Sequence, residues 1–304
     1  MKPMKLLLAA SLLTATFALS LAGCAAKRAS GFDTRVKRVE LTGPQLAQYE
    51  AARKDAAAAW AVRDDVTKAE VALAKYQEAA TLQPADWESW TMASRAAYYI
   101  ADGYLQFEPT KRKEYLDLHN QGVTFAEKAL AAYSDDFAAR VRAGTKVEDA
   151  VEVIGEPGVG PLYWYATNLG KWSNAMGFAT RLKNKDRIFK VVTRVADLNA
   201  DYFYAAADRY FGAFYAIAPA FAGGDLDKSL EHFKKATERY PYYLSTHVLL
   251  AEFYATKRQD KDLFKKELEF VLSVPDNAIP EVTAENKVEK AKAKRLMEKI
   301  DDLF

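Results

Sequence analysis

Apolar residues recur along this chain at helical spacing, and no segment shows the strict alternation of a half-buried strand. The densest pattern runs from Asn199 to Pro241. Its first half carries Tyr202, Phe203, Tyr204, Tyr210, Phe211, Phe214 and Tyr215, more aromatics than one stripe can hold. An amphipathic surface helix buries a single face, so this helix is expected to meet neighbours on several sides. Pro219, Gly223, Gly224 and Asp225 form a hinge before a second helix. Upstream, Asn184 to Leu198 turns Ile188, Phe189, Val192, Val195 and Leu198 inward. Downstream, Tyr242 to Thr256 forms a helix, and Asp260 starts its partner with Phe264, Leu268 and Val271 apolar. The charged helix Glu281 to Phe304 buries Val288, Ala291, Leu296, Ile300 and Phe304 and is placed as a cap.

The second half of the dense stretch spaces Ser229, Phe233, Ala236 and Pro241 in a particular way: a small residue, an aromatic four on, a small residue three further, a proline five further. Ala72, Tyr76, Ala79 and Pro84 repeat those offsets. They are the offsets of the second helix of a tetratricopeptide unit. Trp90, Ala93, Ser94 and Ala97 then occupy the large and small positions of a following first helix. Gly122, Ala126, Ala129 and Ser134 come later than a regular period allows, so the repeats are irregular. The fold class is therefore all-α: irregular tetratricopeptide-like repeats of about 11 or 12 helices in a compact solenoid. One helical domain is expected over 44–304, opened by Pro44 at a first-turn position and carrying Ala47, Ala51, Ala58 and Trp60 along its first helix.

The N-terminus gives the address. Lys2 and Lys5 precede an apolar run, Leu6 to Leu21, which ends in Leu21-Ala22-Gly23-Cys24. That is a secretory signal with small residues before its cleavage point, and the cysteine directly after Leu-Ala-Gly makes it a bacterial lipobox. Residues 1–23 are read as the signal peptide, Cys24 as the lipidation site and 24–43 as a mostly polar tether. The apolar run is short for a spanning helix, which needs about 20 residues. Ala25 is not the aspartate associated with inner-membrane retention, so the outer membrane facing the periplasm is the expected location.

Removing the signal changes the charge picture. Basic residues fall from 43 to 41 against 41 acidic ones, and 281 residues remain. A formally neutral chain lacks the clustered cations that phosphate backbones demand, so nucleic acid is excluded as a partner. Cys24 is the single cysteine, which leaves no disulfide and no catalytic thiol. His119, His232 and His247 are far apart and show no ligand spacing, so no metal and no cofactor is expected. No nucleophile elbow occurs, and the acid pairs Asp64-Asp65, Asp135-Asp136 and Asp301-Asp302 fall at helix ends, where capping explains them. The chain is not read as an enzyme.

Two stretches remain as candidate chemistry. Gly144, Gly155, Pro157, Gly158 and Gly160 break helical structure between Val141 and Gly160 and form a connection; the lysine and hydroxyl residue of a phosphate loop are missing. Pro161 then opens a helix in which Trp164, Asn168 and Trp172 recur every four residues beside Tyr163 and Tyr165. Core packing is one reading of that stripe. A ligand wall is the other, since Tyr and Trp offer flat apolar faces with a polar tip. The candidate ligand- or partner-binding residues are Tyr163, Trp164, Asn168, Trp172, Phe211, Tyr215, Pro219, Gly223, Gly224 and Asp225.

The lipobox, Tyr163-Trp164-Tyr165 with Asn168 to Trp172, Phe211 to Ala216 followed by Pro219 and Gly223-Gly224-Asp225, Lys228 to Phe233, Ala251 to Tyr254 and the closing Ala291 to Phe304 together resemble the T-component lipoproteins of TRAP transporters (tripartite ATP-independent periplasmic transporters). The likeness is densest after Gly160. It implies a periplasmic lipoprotein that associates with a TRAP substrate-binding protein and assembles as a homo-oligomer, a trimer being the first expectation. It also implies a cavity or pore for a hydrophobic or organic-acid ligand. The competing reading is a scaffold lipoprotein for envelope assembly that binds protein segments and no small ligand.

Overall fold

The computed structural model describes residues 30–33 and 35–304. The signal, Cys24 and the first part of the tether lie outside the described residues.

Fourteen helices and no strand occur among the described residues. They are α1 (Gly43–Ala61), α2 (Val66–Leu82), α3 (Trp87–Gly103), α4 (Arg112–Tyr133), α5 (Asp135–Arg142), α6 (Val147–Ala150), α7 (Val159–Met176), α8 (Phe178–Leu198), α9 (Tyr202–Ile217) and α10 (Leu226–Arg239). α11 runs through Leu244–Leu249, a π-helical stretch Leu250–Ala255 and Thr256–Arg258; α12 (Lys261–Ser273), α13 (Thr283–Glu298) and the single turn α14 (Ile300–Leu303) follow. The chain is all-α.

Local chemistry sets the boundaries. Asp65, Asp86, Ser134, Asp225 and Asp260 each accept a backbone N–H of the helix they precede, and such a cap stabilises a helix by about 1 kcal/mol. The buried stripe of α1 is Ala52, Ala56, Ala59 and Trp60, so Ala47, Ala51 and Ala58 face outward. An alanine-rich helix has no strong preferred face, and bulky Trp60 selects it.

The repeat offsets mark real packing positions. Ala72, Tyr76 and Ala79 are buried on α2, and Ser229, Phe233 and Ala236 on α10. The same device locks two helix pairs. Ser94 Oγ on α3 donates to the Gly122 carbonyl on α4 at 2.7 Å, and Ser229 Oγ on α10 donates to the Gly212 carbonyl on α9 at 2.7 Å. Each glycine also makes room for a side chain, Asn168 against Gly122 and the Phe233 ring against Gly212, and the buried serine hydroxyl bonds the glycine carbonyl. Large fully buried side chains such as Phe137, Tyr165, Phe233 and Phe264 fill the spaces between helices, each contributing about 1.5–3 kcal/mol.

Two features depart from the sequence expectation. The tether is docked in part: Phe32 is buried and meets the Phe137 ring edge-on at 5.5 Å, and the Gly31 N–H donates to Glu127 at 2.7 Å. One aromatic in a polar segment suffices to fix it to the core. The charged helix α13 also does more than cap an end. It packs on α3, where Glu285 pairs with Arg95 at 3.0 Å and Lys292 with Asp102 at 2.6 Å, and Glu285 also pairs with Arg63 of the α1–α2 connection at 2.5 Å. In an open array each unit touches its neighbours only; here the C-terminal helix returns to the first units.

Candidate functional site

That return completes the wall of a pocket. A cavity of about 270 Å³ lies between α3, α7, α8, α9, α11 and α13. Its wall is mostly apolar, and small residues at Ala166, Gly170, Ala206 and Ala213 make the room. Nothing lies within 4 Å of where a Gly170 side chain would begin. The size approaches that of small-molecule sites.

Aromatic rings form one side. Tyr163, Trp164 and Phe203 meet one another at centroid distances of 4.8, 5.7 and 5.3 Å, and Tyr98 joins Trp164 at 5.6 Å. Phe203 reaches this cluster because the backbone bends. Phe203, Tyr204 and Ala205 have φ of 45°, 60° and 55°, a left-handed turn before the right-handed helix resumes. Non-glycine residues adopt that region at about 1–2 kcal/mol each. Arg209, buried on α9, holds the turn: its guanidinium donates to the carbonyls of Phe203 and Tyr204 at 3.1 and 2.7 Å and to the Tyr163 hydroxyl at 3.3 Å. It also lies over the Tyr243 ring at 4.4 Å. Strain of this kind clusters where a structure shapes a ligand site.

Charges form the other side. Asp102 on α3 lies between Lys171 of α7 and Lys292 of α13, and Lys292 also reaches Glu289 at 2.9 Å. Burial opposes ionisation of Asp102, but attraction to the two ammonium groups outweighs it and holds the carboxyl well below the usual carboxylate range. Burial likewise opposes the charge on Lys171, and Asp102 overrides it, raising the amine well above its ordinary value. The cavity wall carries the basic residues Arg95, Lys171, Arg181, Lys185, Arg209 and Lys292. Three acids, Asp102, Glu285 and Glu289, stand against them.

The structure sorts the sequence candidates. Tyr163, Trp164 and Pro219 line the cavity. Asn168, on the same helix, lies off the wall and is buried. Its amide nitrogen donates to Ser94 O, Ser94 Oγ and Trp164 O, and its oxygen accepts from His119 Nδ1 at 2.9 Å. Burial pushes His119 down to about 4. Trp172 is half-buried off the wall. Phe211 packs on Phe189 at 5.0 Å, and Tyr215 stacks on His232 at 5.6 Å. Gly223 has φ of +97°, a Cβ on Gly224 would collide with the Ala218 carbonyl, and Asp225 caps α10. These last three shape the turn beside Pro219.

Sequence reading missed Arg95, Tyr98, Asp102, Lys171, Arg209 and Lys292. One signal existed: Lys171 is the single charged residue of α7. Among the described residues no group of three or more His, Cys, Asp or Glu is arranged for a metal ion, and no helix is long and apolar enough to cross a membrane.

Residues 101–304, more than half of the chain, match the family model described as TRAP transporter T-component. The matched region contains Asp102, Lys171, Arg209 and Lys292. No curated protein matches the chain.

Proposed function

Since this chain belongs to the TRAP transporter T-component family, we propose that it serves solute uptake as a lipid-anchored periplasmic accessory. Cys24 carries the anchor, in the outer membrane facing the periplasm. The folded part engages a TRAP substrate-binding protein and assembles with copies of itself, and the cavity holds a hydrophobic or organic-acid ligand. Catalysis has no part in this reading.

The observation that carries it is the open-mouthed, mostly apolar cavity with Tyr163, Trp164 and Phe203 on its wall. A scaffold that binds only protein segments has no need of a deep apolar pocket among its helices, because unfilled apolar space forfeits packing contacts. Two measurements test the reading together. Native mass spectrometry of gently purified protein should find a bound small molecule, and a pull-down with the Cys24→Ser chain should recover a TRAP-type substrate-binding protein. Recovery of envelope-assembly proteins, with an empty cavity that takes up no apolar probe, would sink it in favour of the scaffold.

A further inference from the structure

We propose that the rim of the cavity is a docking face for an anionic phospholipid surface, separate from any contact made through Cys24.

Two short tips flank the cavity mouth. One is the α7–α8 junction, where Gly177 (φ +104°) turns the chain between Met176 and Phe178. The other is the turn Ala220–Ala222 between Pro219 and Gly223. Phe178, Leu182, Pro219 and Ala222 all line the cavity, and Lys185 Nζ donates to the Ala222 carbonyl at 3.4 Å, tying the tips together. The tips present apolar side chains to solvent. Phe221 is 80% exposed, Phe178 50%, Leu182 44% and Met176 43%. Scattered exposed apolar residues are ordinary, but a cluster around a cavity mouth marks an interaction face.

Charge selects the partner. Between the two tips Arg181, Lys183 and Lys185 outnumber one acid, Asp186, which pairs with Lys185 at 3.0 Å, and residues 217–224 carry no charge at all. Arg112 reaches the same tip by donating to the Ala175 carbonyl at 2.5 Å; its neighbour Lys113 is paired with Asp117. The Arg181 guanidinium lies over the Phe178 ring at 5.5 Å and donates to Asn174 Oδ1 at 3.1 Å, so a cation sits directly beside the exposed aromatic. Protein–protein interface cores are depleted in lysine. Apolar tips with a collar of cations fit instead the boundary of an anionic bilayer, where rings enter the headgroup layer and cations meet phosphates. In that pose the mostly apolar cavity opens onto the membrane interface, so an apolar molecule passes between bilayer and cavity without crossing bulk water.

The test uses the full chain with Cys24→Ser, so that an added cysteine is the sole thiol. An environment-sensitive NBD label is placed through Phe221→Cys, and in a control through Val62→Cys, which is 49% exposed on the C-terminus of α1. Vesicles of phosphatidylglycerol and phosphatidylethanolamine should shift the emission at position 221 to the blue and bring it within reach of a doxyl quencher in the acyl layer. Position 62 should stay in water, and vesicles of phosphatidylcholine alone should have no effect. Arg181→Glu with Lys183→Glu should weaken the response at 221 by at least about tenfold, with the far-UV spectrum unchanged. An unshifted label at 221, or one that shifts equally with neutral vesicles, overturns the proposal. A shift without lipid that grows with protein concentration overturns it too, and assigns the face to a second copy of this chain.

Discussion

Lys292 Nζ sits 2.6 Å from Asp102 Oδ2 although 190 residues separate them. Asp102 also pairs with Lys171, so one carboxylate joins α3, α7 and α13 at the cavity wall. Removing one member of a buried ion group leaves the others uncompensated, which costs about 3–5 kcal/mol. Asp102→Asn should destabilise the protein by that order at pH 7 in urea denaturation. The pH dependence has a fixed sign. The folded Asp102 holds its proton less tightly than the unfolded one, so its stabilisation is complete above about pH 5 and is lost as pH falls below the ordinary value of about 3.9. The gap between wild type and Asp102→Asn should therefore narrow below pH 4. A gap constant from pH 7 to pH 3 would refute the coupling.

His119 acts in a different window. It is buried, and its Nδ1–H donates to Asn168. Burial lowers it to about 4, while the unfolded imidazole titrates near 6.5. The unfolded chain binds the extra proton between those values, so stability falls as pH drops from about 6.5 to about 4, by on the order of 3 kcal/mol. His119→Asn keeps a donor near the Nδ1 position and cannot take up a proton. Its stability should be nearly flat over that window, read by denaturant midpoints at pH 7, 6 and 5. An equal slope in both proteins would place the acid sensitivity elsewhere.

The contrast between Asn168 and Trp164 shows what the sequence could and could not tell. Both lie in the four-residue stripe of α7, and both are buried, yet Trp164 faces the cavity and Asn168 the α3–α4 contact. A helix surrounded by neighbours presents the same periodicity to all of them, so spacing does not reveal which face is empty. The hinge was legible because its chemistry is local: Gly223 supplies a positive φ and Asp225 a cap. The charged cluster was not. Asp102 and Lys292 each read as solvent-facing residues of ordinary helices, and only the return of α13 buries them together. Nor does Phe203-Tyr204-Ala205 contain the glycine or asparagine that usually marks a left-handed turn.

That turn makes Arg209 a strong prediction. Its fork satisfies two carbonyls that the left-handed backbone aims inward, plus the Tyr163 hydroxyl. Arg209→Met keeps the length of the side chain and removes every donor, and should cost about 2–4 kcal/mol. Arg209→Lys keeps the charge but cannot reproduce the planar fork, so it should recover less than half of the loss. Near-UV circular dichroism should change in both, because Tyr163, Trp164 and Phe203 lose their mutual fix. Full rescue by lysine would mean that charge alone holds the turn.

Gly170 offers the cleanest test of the cavity as a binding space. It lies inside α7, lines the cavity, and has open space where a side chain would begin. A glycine inside a helix costs about 1 kcal/mol relative to alanine, and here no neighbour stands in the way. Gly170→Ala should therefore stabilise the protein by about 0.5–1 kcal/mol and leave uptake of an apolar fluorescent probe close to wild type. Gly170→Phe projects a ring into the void. It should retain the helical spectrum and lower probe uptake at least about tenfold, since the ring occupies space that the probe needs. The pair separates volume from stability: both variants fill the same position, and only one fills the cavity. If Gly170→Phe binds the probe as tightly as wild type, the probe sits elsewhere and the cavity is not the ligand site.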